Sequence, residues 1–242
     1  GKEYLSTVPH YNTIINGFSM GEIPALLQSL IEMSAMPLAS VESDFAVDST
    51  GISTCRFYRW HHAKYGDKRL IDKRDWVKLH VCSGVKTNII TAVEITHRHS
   101  GDSPQFKPLV DKTALRFNIR EVSGDKAYLS EKNMQTVWDH GGMPYIDFKS
   151  NSGLNSSTQG QMWRNMYHYY SLNQEKFYEH YHKRSNVETT FMMIKTKFGD
   201  SLRSKTQDAM ISEVLCKVLA HNICVLITSM HELGLRPKFW DK

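Results

Sequence analysis

Cysteine is scarce in this sequence, and its four cysteines form no CxxC pair. This excludes a dense disulfide scaffold and is typical of a protein from a reducing compartment. Two His-x-His pairs, beginning at His97 and His180, have no cysteine or third histidine at zinc spacing, so surface or structural histidines are favoured. Glycine-rich loops of the GxGxxG or GxxxxGK(S/T) type are also missing, which argues against a nucleotide-binding enzyme.

Long apolar runs are missing as well. The most apolar stretch, Val214–Met230, is interrupted by Lys217, His221 and Asn222. No signal peptide is recognisable near the start of the sequence. The sequence therefore predicts a protein that acts in the cytoplasm and has no membrane partner.

The composition is that of an ordinary globular protein, with 40% hydrophobic and 23% charged residues. The net charge is +5, and the stretch 56–78 alone holds eight Lys and Arg residues against three Asp. Aromatic residues are interleaved with these charges, so the stretch suits phosphate contacts and base stacking, with Trp60 as a stacking candidate. The alternative is a solvated charged loop. The candidate phosphate-binding residues are Arg56, Arg59, Lys64, Lys68, Arg69, Lys73 and Arg74.

Short apolar runs bounded by turn residues predict the strands. Phe45–Asp48 is one such run, and Ser49-Thr50-Gly51 after it predicts a turn that leaves Asp48 at the strand end. Ile52–Trp60 is a further strand candidate. The other predicted strands are Trp76–Ser83 and Asn88–Thr96, which form a hairpin, and Ile119–Ser123 and Pro144–Phe148. With helices between and after them, the order is β-β-β-α-β-α-β-α-α. This order indicates an α/β fold with three antiparallel strands and then two parallel strands, flanked by helices.

Three regions are predicted along the chain. Residues 1–42 form a helical accessory segment, 43–205 form the α/β core, and 206–242 form a C-terminal helix that packs on the core. The core carries a short insertion at about 150–178, where Trp163 is a second stacking candidate. No Gly or Pro occurs from Ser171 to Phe198, so a continuous helix is predicted there.

Four polar residues share one stripe of that predicted helix. Tyr181, Arg184, Glu188 and Lys195 stand at offsets of 0, 3, 7 and 14 residues, and each residue advances a helix by about 100°. The stripe therefore presents a phenol, a guanidinium, a carboxylate and an ammonium together. A solvated helix face with a favourable Arg184–Glu188 pair is the alternative.

Three carboxylates stand out by position. Asp48 ends the first predicted strand and Asp125 ends the fourth. If these strands are neighbours in the sheet, both aspartates emerge at one edge, and a helix that packs across that edge would add Glu188. Three acids at one edge repel unless a cation neutralises them, and hard oxygen ligands suit Mg²⁺ or Mn²⁺. Two such ions support phosphodiester displacement, with Arg184 and Lys195 facing the phosphate. A single Asp after a strand is more often a turn or cap residue, and Asp44 and Asp147 are alternative acids near this edge.

Three motifs in order resemble the acidic motifs of DDE transposases of bacterial insertion sequences. They are Ala-Val-Asp48-Ser-Thr-Gly, Ser-Gly-Asp125-Lys-Ala-Tyr, and the Tyr181, Arg184, Glu188 and Lys195 spacing, which matches that family's Tyr-Arg-Glu-Lys signature. The resemblance implies a ribonuclease H-like catalytic domain. It implies that Asp48, Asp125 and Glu188 hold two Mg²⁺ ions, with Mn²⁺ as a substitute, and that Tyr181, Arg184 and Lys195 contact DNA near the cleaved phosphate.

The resemblance also implies an activity: nicking of transposon ends, then strand transfer by the freed 3′-hydroxyl. The expected partners are double-stranded DNA and a second copy of the chain, and the expected location is the prokaryotic nucleoid when DNA is bound. Some relatives insert a large β domain before the Glu helix, but only residues 149–180 lie between Phe148 and Tyr181 here. The start before Phe45 is also short, which leaves open where DNA ends would be recognised. A DNA-binding protein without catalysis, and a nuclease without strand transfer, stay open as alternatives.

Overall fold

The structure is a computed structural model of the chain, and it describes residues 8–54, 76–154 and 160–236. Within these ranges the chain forms helices packed on both faces of one five-stranded sheet. The strands are β1 (Asp44–Ser53), β2 (Trp76–Gly84), β3 (Ile90–His97), β4 (Glu121–Gly124) and β5 (Met143–Ile146). The helices are α1 (Tyr11–Phe18), α2 (Ile23–Ala35), α3 (Ser103–Ala114), α4 (Glu131–Asp139), α5 (Gln161–Leu172), α6 (Gln174–Tyr181), α7 (Ser185–Phe198) and α8 (Gln207–Leu233), with short 3₁₀ turns at Met36–Leu38, Lys126–Tyr128 and His182–Arg184.

The sheet has the spatial order β3-β2-β1-β4-β5. β1 pairs antiparallel with β2, and β2 pairs antiparallel with β3, whereas β1, β4 and β5 run parallel to one another. The predicted α/β fold of three antiparallel and two parallel strands is therefore confirmed, and the arrangement is ribonuclease H-like.

The prediction that the first strand ends at Asp48 is wrong. β1 continues through Gly51 to Ser53 because β2 pairs with it over the whole span from Phe45 to Ser53. On the other side, β4 is shorter and stops where Gly124 lies opposite Val47. Asp48 is thus the first residue of β1 that has no partner in β4. A notch in the sheet begins at this position.

Side chains alternate between two cores along β1 because successive residues of a strand point to opposite faces. Phe45 and Val47 pack into a cluster with α3, α4 and the aromatic residues of α5 and α6. Ala46 and Ile52 pack into a second cluster with α2, α7 and α8. Asp48 lies two residues after Ala46, so its side chain is on the same face of the sheet and faces α7.

The predicted continuous helix over 171–198 is also wrong, because Asn173 interrupts it. Asn173 has φ −134° and ψ 51°, which ends α5 and starts α6 in a new direction. Asn is a poor helix former whose side chain competes for backbone hydrogen bonds. The bend allows Phe177 to bury fully against Phe148 and Tyr145. In the described part of the insertion the chain forms helices and no strand.

Among the residues that the structure describes, one helix is long and apolar enough to cross a membrane. This helix is α8, and its most apolar window has a mean hydropathy of 1.7 with 44% of the window buried inside the protein. In this fold α8 is a core helix that contacts α1, α2, α7, β2 and β3.

Asn222 of α8 joins three elements by hydrogen bonds and is fully buried. Its amide oxygen accepts from the Ile90 N–H at 2.9 Å, and its Nδ2 donates to the Ile90 carbonyl at 2.8 Å and to Ser34 Oγ at 3.0 Å. The start of β3 and the end of α2 are thus tied to the centre of α8 through one side chain.

We expect Asn222→Ala to lower the free energy of unfolding by about 2–3 kcal/mol, because both backbone groups of Ile90 lose a buried partner. Urea unfolding followed by circular dichroism would measure the loss. Ile223→Ala is the matched control, since Ile223 is 47% exposed. Equal losses in the two variants would contradict the role assigned to Asn222.

Candidate active site

Asp48 and Asp125 lie next to each other where β4 ends beside the parallel strand β1. Asp125 follows Gly124, the last residue of β4, and caps the 3₁₀ turn Lys126–Tyr128. Each carboxylate accepts a hydrogen bond from the amide that follows it, at 2.8 Å from Ser49 and 2.6 Å from Lys126. The two aspartates are close enough to interact electrostatically.

The electrostatic surroundings of Asp48 are unfavourable for its charge. Burial raises the pKa of the Asp48 carboxyl, and the nearby charge of Asp125 raises it further. The Ser49 amide and Arg184 act in the opposite direction, but the net shift is upward. A carboxylate held in this way is a feature typical of functional sites.

Glu188 is joined to Asp48 through Arg184. Glu188 lies in the first turn of α7, and Arg184 is the residue that precedes this helix. The Arg184 guanidinium donates from Nη1 to Asp48 Oδ2 at 2.8 Å and from Nη2 to Glu188 Oε1 at 2.7 Å. The side chain of Glu188 is 58% exposed, whereas that of Asp48 is only 17% exposed.

Tyr181 and Lys195 complete the predicted stripe on either side of this bridge. Burial raises the pKa of the Tyr181 phenol, which interacts with both Arg184 and Asp125. Lys195 Nζ donates to Thr50 Oγ1 at 2.7 Å. Thr50 belongs to the turn predicted over Ser49-Thr50-Gly51, which in the structure is part of β1. The structure therefore brings the four residues of the stripe and both aspartates to one edge, although the chain passes through a 3₁₀ turn and not through a continuous helix.

Two grooves are each lined by one or two of the acids. One has a volume of about 570 Å³ and runs from Asp48 and Glu188 along α7. Its lining residues are Asp48, Ser49, Thr50, Glu188, Phe191, Met192, Lys195, Thr196 and Asp200. The other also has a volume of about 570 Å³ and is lined by Asp125, Lys126, Ala127, Lys149, Ser150 and Asn151. The exposed residues Lys126 and Lys149 were not singled out from the sequence.

The donor set suits a hard divalent cation. Asp48 and Asp125 offer carboxylate oxygens at one edge, and a cation there would relieve their repulsion. Across the described ranges, however, no three His, Cys, Asp or Glu side chains are grouped closely enough to hold one ion. Arg184 bonds one carboxylate oxygen of Asp48 and one of Glu188.

A second charged cluster, which sequence reasoning missed, lies on the same face nearer the start of β1 and β4. It contains Asp44, Arg120, Glu121, His180 and Lys183. Asp44 was considered only as an alternative to Asp48, and Glu121 was not considered. A usable signal was that Asp44 and Glu121 each precede a candidate aspartate by four residues, which places all four on one face.

Several predicted residues stay untested. The predicted DNA contacts from Arg56 to Arg74 and the stacking residue Trp60 lie outside the described residues. The Trp163 ring packs edge-on against Phe148, and its Nε1 donates to the Gly153 carbonyl at 3.3 Å. The alternative acid Asp147 lies near the site and accepts a 3.5 Å hydrogen bond from the Tyr178 hydroxyl.

Comparison with known proteins gives one finding on the family. A search of curated proteins found no match. The family model described as the transposase DDE domain matches residues 39–223, which extend from before β1 into α8 and include Asp48, Asp125 and Glu188. The match covers most of the chain, and it agrees with the ribonuclease H-like sheet and with the acidic residues at its edge. The chain therefore belongs to the transposase DDE domain family.

Proposed function

We propose that this chain is a DNA transposase that nicks phosphodiester bonds at transposon ends and transfers the freed 3′-hydroxyl to target DNA. The carrying observation is the meeting of Asp48 and Asp125 at the end of β4 beside β1, with Glu188 joined to Asp48 through Arg184. In this proposal the three acids are the catalytic residues and the metal ligands. The signature of the family is then the Tyr-Arg-Glu-Lys type.

Two Mg²⁺ ions, or Mn²⁺ in their place, would activate the attacking oxygen and stabilise the leaving oxygen. Asp48 and Asp125 already share an edge, and the exposed Glu188 side chain would turn towards them. Ser49 and Lys126 orient the two aspartates through their amides, which leaves the outer carboxylate oxygens directed to the site. The protein thus supplies a fixed pair of oxygen ligands and one adjustable ligand.

Arg184 has two sets of partners in this proposal. Without DNA it bonds Asp48 and Glu188. A phosphodiester of bound DNA offers two oxygens to one guanidinium in bidentate geometry, so Arg184 would transfer to it and release the acids. Lys195 and Tyr181 would contact the backbone on the two sides of the cleaved bond.

The proposed partner is double-stranded DNA, with two chains acting together as a homodimer on two ends. Lys195 lines the groove on one side of the acids, and Lys126 and Lys149 line the groove on the other. Lysines on both sides suit a phosphate backbone that crosses the site. Because its substrate is prokaryotic DNA, we propose that the protein works in the cytoplasm at the nucleoid.

The three acids are the first test. We expect Asp48→Asn, Asp125→Asn and Glu188→Gln each to lower nicking by about 10³-fold or more while the fold is retained. The substrate is a labelled duplex that carries the DNA flanking the coding sequence, incubated with Mg²⁺. Asp147→Asn is the matched control and should change the rate only a few-fold. Joined products would exclude a plain nuclease, and binding without any cleavage would reject catalysis.

Arg184 is the second test. We expect Arg184→Ala to bind Mn²⁺ about tenfold more tightly than the wild type in the absence of DNA, because a competing cation has left two carboxylates. Titration followed by electron paramagnetic resonance would measure the free Mn²⁺. Lys195→Ala removes a cation from the same groove but not from the acids, and should keep wild-type affinity. If Arg184→Ala binds Mn²⁺ no better than this control, Arg184 does not compete for the site.

Asp44 and Asp48 provide a third test, because they lie four residues apart on one face of β1. Burial raises the pKa of Asp44, but hydrogen bonds from Arg120 and Lys183 outweigh it and hold the pKa below 3.8. The Asp44 carboxylate therefore stabilises the fold above pH 3.8, and this contribution disappears as the pH falls through its lowered pKa. The raised pKa of Asp48 has the opposite sign, so its ionised form costs stability at neutral pH.

We accordingly expect Asp44→Asn to destabilise the protein at pH 7 by about 1–2 kcal/mol, after allowance for the exposure of Arg120. Asp48→Asn should leave the stability unchanged or raise it by up to about 1 kcal/mol. Differential scanning calorimetry of both variants at pH 7 would decide. A larger loss for Asp48→Asn than for Asp44→Asn would show that Asp48 has a structural role.

A further inference from the structure

Two pairs of acids face each other across β1 and β4 on the side that α7 covers. Asp44 lies directly opposite Glu121 in the parallel register. Asp48 and Asp125 lie four residues further along the chain, on β1 and directly after β4. The first pair is deeply buried, since the side chains of Asp44 and Glu121 are only 5% and 6% exposed. Two carboxylates that are buried on neighbouring strands in this way require cations close to them.

Each acid of the buried pair also has a hydrogen-bonding partner of its own. Arg120 donates to both carboxylate oxygens of Asp44, from Nε to Oδ1 at 2.7 Å and from Nη2 to Oδ2. His180 Nδ1 lies 2.6 Å from Glu121 Oε2, and its ring stacks on Tyr145 with the ring centroids 4.4 Å apart. Each of the two buried carboxylates therefore has hydrogen bonds that the other does not share.

Lys183 differs from these partners because it contacts both acids. Its Nζ donates to Asp44 Oδ2 at 3.0 Å and also to Glu121 Oε1. It therefore spans the two strands, and its backbone lies in the 3₁₀ turn His182–Arg184. Lys183 fastens this turn to the sheet at the start of β1 and β4.

The next residue in the chain is Arg184, which reaches Asp48 on the same face of β1. Consecutive residues of one turn thus bind β1 at two points that are four residues apart. The turn leads directly into α7, whose first turn carries Glu188. Whatever fixes the turn also fixes the position of Arg184 and Glu188 relative to Asp48.

We propose that Lys183 is a positioning residue for strand cleavage, and that its bridge between Asp44 and Glu121 places Arg184 and Glu188 against Asp48. The inference rests on the proposed function for its catalytic consequence. Its structural part, that the bridge holds the turn, can be measured without DNA. Lys183 itself does not touch the reacting atoms.

The test must separate positioning from simple charge neutralisation. Lys183→Met removes the cation that the buried carboxylates Asp44 and Glu121 share, and we expect the melting temperature to fall by about 5 °C. The double variant Lys183→Met/Glu121→Gln removes one charge of each sign, while Asp44 keeps Arg120. We expect it to regain most of the lost melting temperature. Lys183→Arg keeps the bridging cation, and Lys176→Met removes an exposed lysine of α6 as the control.

Two readouts apply to the double variant. Hydrogen–deuterium exchange of amides 182–188 should rise about tenfold over the wild type, while α8 amides are unchanged. The kcat for nicking should fall about 100-fold with little change in the KM for DNA, because the acids are misplaced but the DNA contacts remain. Lys183→Arg and Lys176→Met should match the wild type in both measurements.

If the double variant exchanges and cleaves like the wild type, Lys183 only balances charge and the proposal is overturned. Faster exchange with an unchanged kcat would also overturn it, since the turn would then be irrelevant to the reaction. A slow kcat with unchanged exchange would reject the bridge as the cause. If the wild type itself does not cleave DNA, the proposed function fails, and exchange at 182–188 alone decides whether Lys183 holds the turn.

Discussion

Repulsion between carboxylates across the parallel strands β1 and β4 is the constraint on which the arrangement of this site depends. At Asp44 and Glu121 the repulsion is compensated inside the protein by Lys183, Arg120 and His180. Four residues further, at Asp48 and Asp125, the compensation is incomplete, and burial raises the pKa of Asp48. The same strand pair therefore supports one closed ionic cluster and one open site.

The fold could largely be predicted because each strand is an apolar run with its own turn signals. The length of β1 could not, since Gly51 and its neighbours are extended only by pairing with β2. The break at Asn173 was missed for a similar reason: burial of Phe177 decides between helix and bend, and no Gly or Pro marks it. Local sequence predicts elements, whereas tertiary partners decide where they end.

The site was predictable to a different degree. Asp48, Asp125, Arg184 and Glu188 meet as their spacing suggested, because a 3₁₀ turn rotates about 120° per residue where an α-helix rotates about 100°. The small difference over His182–Arg184 keeps the stripe on one side. The roles of Glu121 and Lys183 could not be predicted, because charged residues are rarely buried and a single sequence does not show which of them are. Their roles follow only from register across β1 and β4.

β1 is longer than β4, and this has a consequence for the whole sheet. The far end of β1 is held by Ser53, which bonds the backbone of Asp200 and Leu202. Between these contacts and Gly124, within the described ranges, one edge of the strand from Asp48 to Ile52 has no neighbouring strand, over about 15 Å. Open edges invite pairing with other chains, so proteins usually keep them short. A longer β4 would remove that hazard here, but it would also wall off the two aspartates from any substrate.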